Sequence, residues 1–409
     1  MKERCIAFFS MPDANHFRRL LPLIQGLSKL GVAVHVFTHE RFRMQVESAG
    51  GCFIDLFSRY PLEQADPSSL PRSCRYVTYA AHFAEAVCDD IRQLRPDVIV
   101  YGTFTVIGYV VARRLGIPYV NVCAGHNANS GEFLRSLPDQ MHVDLHPNCW
   151  KAIERLRGQY GMHDAGPFSF IATVSPFLNV YCEPPEFLKP IERKAFEPIV
   201  FFGPVLSDTH NEAALSALRA QRRSDSGDQL RVYVSFGTII WRHYAAPALS
   251  ALQAIAQALS NMEHTRALIT LGGHDLPAGD IAALERTNVK VETYVDQWER
   301  IQESDVFITH HGVNSTHEAI FHRVPMISYP FFWDQPALAR RCQEYGLAIP
   351  LVDTVRGTVR PEDVTAALIE VANLRDSLLQ NLQTACEWEK RAIAGRGEVL
   401  QRIASLACK

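Results

Sequence analysis

The chain has 409 residues, of which 47% are hydrophobic and 21% charged, the composition of a water-soluble globular protein. A net charge of −3 and the lack of any lysine–arginine block leave no electrostatic case for nucleic acid as a partner. No apolar run approaches the length of a membrane span, so stable membrane insertion is not expected.

The length suits two domains of ordinary size. The ten cysteines are scattered, with no CxxC pair and no metal-ligand spacing, which fits reduced thiols in a cytoplasmic protein. The opening MKERCIAFFSMP has a basic start, but its apolar run stops at Pro12 and Asp13. It reads as a first strand, since a signal peptide needs a longer apolar core and a small-residue cleavage site.

Apolar periodicity predicts strands over Arg4 to Ser10, Val32 to Phe37, Cys52 to Phe57, Val98 to Tyr101 and Pro118 to Cys123. Between them it predicts helices over Phe17 to Leu30 (ended by Gly31), Arg41 to Ala49, Ser73 to Leu94 and Val106 to Leu115. Residues 61 to 71 form a loop rich in proline and serine. Such alternation implies an α/β domain, a parallel sheet with helices on both faces. Residues 124 to 165 read as a helical insertion over the sheet's carboxyl edge. Phe168 to Val180 and Pro198 to Phe202 are the last strands expected there. The polar run from Ser207 to Gln229 reads as an interdomain linker.

The pattern then restarts. Leu230 to Ser235 is a strand, Phe236-Gly237-Thr238 a turn, Ala246 to Leu259 a helix, and Arg266 to Leu271 and Val289 to Thr293 are strands. Asp305 to Thr309 is a short apolar run of strand length, followed by His310, His311 and Gly312 as a turn. Asn314, Ser315 and Thr316 start a helix with Glu318 in its first turn. Val324 to Tyr329 is the next strand, and Asp334-Gln335 follow in a polar loop. From Pro361 onwards the chain reads as helical, with breaks near Asn373 and Gly395 to Gly397. Two α/β units joined by a linker form a cleft, a favoured place for ligands. In such sheets ligands bind beyond the carboxyl ends of the strands, and a helix N-terminus there suits a phosphate.

The stretch from Tyr294 to Tyr345 resembles the donor-sugar signature of the UDP-glycosyltransferases, an inverting family of GT-B fold. The matching parts are Thr309, Gly312, Asn314, Ser315 and Glu318 in TxxGxNSxxE, then Val324-Pro325, then Asp334-Gln335. The order and spacing of these parts make the match specific. It runs strongly after residue 230 and more loosely before, and points to the bacterial enzymes that glycosylate natural products such as macrolides. The resemblance implies two Rossmann-like domains facing across a cleft. Residues 1–205 would bind the acceptor, 206–229 link, and 230–385 bind the nucleotide sugar. Residues 386–409 would form a helix crossing back to the first domain.

The family's motif also implies roles. His16 stands where the family has its general base, fifteen residues before the glycine that ends the first helix, Gly31. A histidine titrates near neutral pH, which suits that task. Asn15 and Arg19 replace the family's glycine and proline around it. Gly102 stands where many members carry the aspartate that orients this histidine, so that partner is either missing or supplied by Asp13, Thr103 or an acceptor-loop residue.

Thr238, His310, Gly312, Asn314 and Ser315 would hold the diphosphate. With no DxD motif, a helix dipole and a histidine would replace the charge of a metal, so no metal or other cofactor is expected beyond the UDP-sugar co-substrate. His311 departs from the family's usual second glycine; it is read as narrowing the pocket, straining the turn, or standing on the surface. Tyr294, Val295 and Gln297 fall on the segment that holds the base, with Trp298 as a competing stacker. Glu318 would accept the ribose hydroxyls.

Asp334 and Gln335 would bind sugar hydroxyls, which favours UDP-glucose. A deoxysugar would leave both unpaired at about 1–3 kcal/mol each. UDP-N-acetylglucosamine, UDP-galactose and a thymidine-linked donor stay open. Tyr79, Phe83, Phe104, Phe133 and Met141 are the candidate walls for a hydrophobic, hydroxylated small-molecule acceptor such as a polyketide, macrolide or phenolic. The function expected is transfer of a hexose to such a hydroxyl. A GT-B transferase acting on a lipid acceptor, a nucleotide-sugar epimerase and a non-catalytic nucleotide-sugar binder are the alternatives.

Overall fold

A computed structural model of the chain describes residues 4–62, 72–123, 125–126, 147–166, 174–206 and 229–408. The chain divides into two compact units. One comprises Met1–Val205 with Lys390–Lys409, the other Leu206–Glu389. The C-terminal segment therefore joins the first unit from Lys390, four residues later than expected from the sequence.

The first unit holds strands β1 (Cys5–Phe9), β2 (Ala33–Thr38), β3 (Cys52–Asp55), β4 (Val98–Gly102), β5 (Tyr119–Cys123), β6 (Leu178–Tyr181) and β7 (Ile199–Phe201). They form one sheet in the order β3-β2-β1-β4-β5-β6-β7, and all pairings are parallel. Every residue of β4 and β5 is buried, as expected for strands covered on both faces. Phe8, Val100, Val122 and Val180 point into a core shared with Phe17, Leu20 and Ile24 of the Ala14–Lys29 helix.

The Arg396–Leu406 helix packs on that same helix through Val399, Ile403 and Ala404. The approach is close: a Cβ on Gly26 would stand 2.3 Å from Leu400 Cδ1. Arg396 fastens the segment by donating to the carbonyls of Phe202 (2.9 Å) and Pro204 (2.6 Å), with its guanidinium over the Phe202 ring.

The second unit holds β8 (Leu230–Ser235), β9 (Thr265–Thr270), β10 (Val289–Glu292), β11 (Val306–Thr309), β12 (Met326–Ser328) and β13 (Ala348–Pro350). Their order is β10-β9-β8-β11-β12-β13, again wholly parallel. In each sheet the direction of winding reverses once, between β1 and β4 in the first and between β8 and β11 in the second. The crevice at such a reversal is where open α/β sheets place ligands.

The structure departs from the sequence reading in several places. The first helix begins at Ala14, so His16 lies in its first turn. Gln335–Glu344 is a helix where a polar loop was expected, and β13 had not been anticipated. Only Leu178–Tyr181 of the strand read over Phe168 to Val180 is found as β6, and residues 168–173 lie outside the described residues. Within the expected insertion, Pro147–Tyr160 is a helix. The linker lies almost wholly outside the described residues.

Candidate functional site

In the first unit, a small pocket opens at the reversal between β1 and β4. Its lining includes Met11, Asp13, His16, Gly102, Phe104 and Thr105. Asp13 precedes the helix and is buried; its Oδ1 accepts from the His16 backbone N–H at 3.3 Å, and its carbonyl from Phe17 N–H at 2.9 Å. This is the role of an N-cap, which places His16 three residues into the helix. The His16 ring meets Phe104 edge-to-face, centroids 4.7 Å apart. Gly102 is open: a Cβ there would meet only Thr105 Oγ1, at 3.8 Å. No backbone or packing constraint demands glycine, so an aspartate side chain has room to start.

Of the expected acceptor walls, Phe104 lines this pocket, whereas Tyr79 and Phe83 do not. Tyr79 is wholly buried, its hydroxyl donates to the Tyr60 carbonyl at 3.1 Å, and both rings pack into an aromatic cluster with Phe57 and Tyr60. They are core residues, the usual place for large apolar side chains. Phe133 and Met141 lie outside the described residues.

In the second unit, the loops after β8 and β11 meet. The Val313–His322 helix starts behind Gly312, with Ser315 in its first turn. The first N–H groups of a helix lack intrahelical partners and carry the positive end of its dipole. His310 lies in a slot made by two glycines. A Cβ on Gly237 would stand 2.7 Å from its Nε2, and one on Gly312 2.6 Å. Gly237 is itself crowded, since a Cβ on Gly272 would reach 2.4 Å from its carbonyl oxygen. Burial pushes the His310 imidazole down to about 4, against a weaker upward pull from the Ser235 backbone. His310 is thus neutral at pH 7. Without a bound anion, the ring is therefore a hydrogen-bonding group and carries no charge.

Gln297 draws two expected residues together. Its Nε2 donates to Glu318 Oε2 at 2.7 Å and to Ser315 Oγ at 3.0 Å. Asp296, standing where the family has proline, caps the Gln297–Glu303 helix by accepting from Glu299 N–H at 3.3 Å. That helix turns Trp298 inward, where it is 5% exposed and packs against Phe321 and His322. Trp298 is therefore not a stacking surface for a base. Tyr294, by contrast, is 74% exposed. Val295 and Asn314 are half-buried and Thr238 is exposed.

The loop after β12 carries Asp334 and Gln335, which start the Gln335–Glu344 helix. The Gln335 side-chain oxygen accepts from the N–H groups of Phe331 (3.0 Å) and Phe332 (3.3 Å). Its oxygen thus braces its own loop, a duty the sequence did not reveal. Arg356, from the loop after β13, donates to the Phe331 carbonyl and lies over the Tyr244 ring.

A further signal was invisible in the sequence. Each of β11, β12 and β13 is followed by a non-glycine residue with positive φ: His311 at 59°, Trp333 at 55° and Arg356 at 55°. Such conformations cost about 1–3 kcal/mol and cluster at functional sites. Here they lie beyond the carboxyl ends of three adjacent strands. His311 is fully buried and bonded through both ring nitrogens, to Thr316 Oγ1 (3.2 Å) and Ser328 Oγ (2.8 Å). It neither lies on the surface nor narrows a pocket. Among the described residues no group of three or more histidine, cysteine, aspartate or glutamate side chains is arranged to hold a metal. No helix among them is long and apolar enough to cross a membrane.

The fold is the GT-B architecture of glycosyltransferases. Over 99% of this chain and all of the other, the structure superposes on the glycotransferase of kitacinnamycin with a TM-score of 0.72 at 19% identity. Residues 196–381 match the family model described as UDP-glucoronosyl and UDP-glucosyl transferase. NDP-glycosyltransferase YjiC of Bacillus subtilis (strain 168) is 24% identical over 86% of this chain and 85% of its own. Oleandomycin glycosyltransferase of Streptomyces antibioticus is 24% identical over 84% and 78%. The chain is thus similar to the UDP-glycosyltransferases, by family model over residues 196–381 and at 24% identity over most of its length.

Proposed function

We propose that the protein transfers a hexose, glucose from UDP-glucose, to a hydroxyl of a hydrophobic small molecule with inversion at the anomeric carbon. The observation that carries this reading is the Gln297–Ser315–Glu318 network at the start of the 313–322 helix, beside His310 in its glycine slot. A carboxylate there accepts the ribose hydroxyls, while the helix start and the His310 ring take the diphosphate. The base stacks on Tyr294, and Asp334 binds a sugar hydroxyl. The likeness to an oleandomycin glycosyltransferase supports a small-molecule acceptor.

His16 takes the acceptor proton. The acceptor oxygen then attacks the anomeric carbon from the face opposite the diphosphate. The bond from that carbon to the phosphate oxygen breaks, and its electron pair leaves on UDP. No divalent metal is required, because the helix dipole and the hydrogen bonds at its N-terminus stabilise the leaving group. None of the ten cysteines, all of them among the described residues, forms a disulfide, which supports a reducing, cytoplasmic setting.

The test is to incubate the protein with UDP-glucose, UDP-galactose, UDP-N-acetylglucosamine and TDP-glucose. Each donor is run with and without phenolic, macrolide and lipid acceptors, and product masses are read. A hexosylated small molecule formed best from UDP-glucose supports the proposal. A hexosylated lipid, an epimerised sugar without transfer, or binding without turnover would each select one of the other readings.

A further inference from the structure

The turn after β11 carries two consecutive histidines with opposite duties. His310 projects into the slot beside Gly237 and Gly312, whereas His311 is fully buried on the β12 side. The difference follows from backbone geometry. With φ at 59°, residue 311 adopts a conformation that glycine takes freely and a large side chain avoids. Something must hold it there, and the ring's contacts show what.

His311 Nε2 meets Ser328 Oγ, at the end of β12, at 2.8 Å, and Nδ1 meets Thr316 Oγ1, in the 313–322 helix, at 3.2 Å. The backbone N–H of His311 donates to Thr309 Oγ1 at 3.3 Å. Thr316 Oγ1 in turn donates to the carbonyl of Gly312, the residue capping the helix, at 3.2 Å. One imidazole therefore ties together the end of β11, the end of β12 and the start of the helix. A neutral ring suits two hydroxyl partners, donating to one and accepting from the other.

We propose that His311 is a positioning residue for the diphosphate: its two-sided hydrogen bonding fixes the turn so that His310, Gly312 and the first N–H groups of the 313–322 helix converge on one anion. The inference rests on the donor-site reading given above. It goes beyond that reading in assigning work to a buried residue that touches no substrate. Burial, with a smaller contribution from His310, pushes the His311 imidazole down to about 3. The brace therefore stays neutral across the physiological range.

Substitution separates the brace from the backbone. His311→Gly keeps a residue at ease with positive φ and removes the ring. His311→Asn tolerates positive φ and keeps one polar arm. Ser328→Ala removes one partner and leaves the histidine in place. UDP affinity is measured by calorimetry, with thermal unfolding followed in parallel and the acceptor KM measured at saturating donor.

His311→Gly is expected to weaken UDP at least tenfold with the acceptor KM unchanged. Ser328→Ala should weaken UDP severalfold, and His311→Asn should fall between His311→Gly and the wild type. UDP bound by folded His311→Gly as tightly as by the wild type would overturn the inference, and so would unchanged affinity in Ser328→Ala, the deciding variant if His311→Gly does not fold. Glu318→Ala is the control. If it leaves UDP binding intact, the donor-site reading itself fails, whatever the His311 variants do.

Discussion

The Gln297 amide donates to the Glu318 carboxylate at 2.7 Å, joining the start of one helix to the second turn of another. Glu318 is 5% exposed, so this charge needs partners. A double-mutant cycle with Gln297→Ala and Glu318→Ala, read as UDP affinity, should show non-additivity of about 0.5–3 kcal/mol, as for residues sharing one network. Glu318→Ala alone should weaken UDP about tenfold or more. Strict additivity would show that the two act separately.

Gly312 has negative φ, so its backbone would tolerate alanine, but the added Cβ would stand 2.6 Å from His310 Nε2. Gly312→Ala should therefore displace His310 while sparing the fold. A fall in kcat/KM of about a hundredfold, or about 2.7 kcal/mol, is expected with little change in Tm. Full activity in this variant would show that the glycine slot does not matter.

Both buried histidines of the turn titrate below their unfolded value of about 6.5, His310 at about 4 and His311 at about 3. Between those values the unfolded chain binds more protons than the folded one. Their contribution to stability is thus complete above about pH 6.5 and declines as the pH falls towards 4 and then 3. Urea midpoints measured from pH 7.5 to 4.5 should decline. Replacing His310 with glutamine should flatten the slope by about 1.4 kcal/mol per pH unit in that window. An unchanged slope would mean that the ring is already charged in the folded protein.

Gly102 leaves room beside His16: the nearest neighbour of a Cβ added there would be Thr105 Oγ1, at 3.8 Å. Gly102→Asp should place a carboxylate in that pocket and raise the pKa of His16. The acid limb of the kcat/KM profile should then move to higher pH. A profile identical to that of the wild type would indicate that His16 does not titrate in the reaction.

The two-sheet plan was legible because each buried parallel strand reads as an apolar run and each covering helix as a periodic one. Short elements escaped. β13 is three residues long and ends in Pro350, and Pro336 concealed the helix that opens at Gln335, although proline fits a helix's first turn. Motif spacing brought Gln297, Ser315 and Glu318 to one place. It did not reveal that Asp296 is a cap, that Trp298 turns inward, or that Gln335 spends its oxygen on its own loop. Those outcomes depend on which way a helix faces. Tyr79 and Phe83 show the same limit, since an apolar helix face reads alike whether it lines a pocket or a core. His311 was visible as a departure from glycine, but its positive φ and its two hydroxyl partners belong to the fold alone.

Base-assisted, inverting transfer that needs no metal is the proposed reaction. It is tested most directly by following glucosylation of a phenolic acceptor by NMR in EDTA, using UDP-glucose carbon-13-labelled at the anomeric position, for wild type and His16→Ala. The wild type should give a β-glucoside, and His16→Ala a rate at least a hundredfold lower at saturating donor. An α-glucoside, a reaction abolished by EDTA, or an unchanged rate in His16→Ala would contradict it.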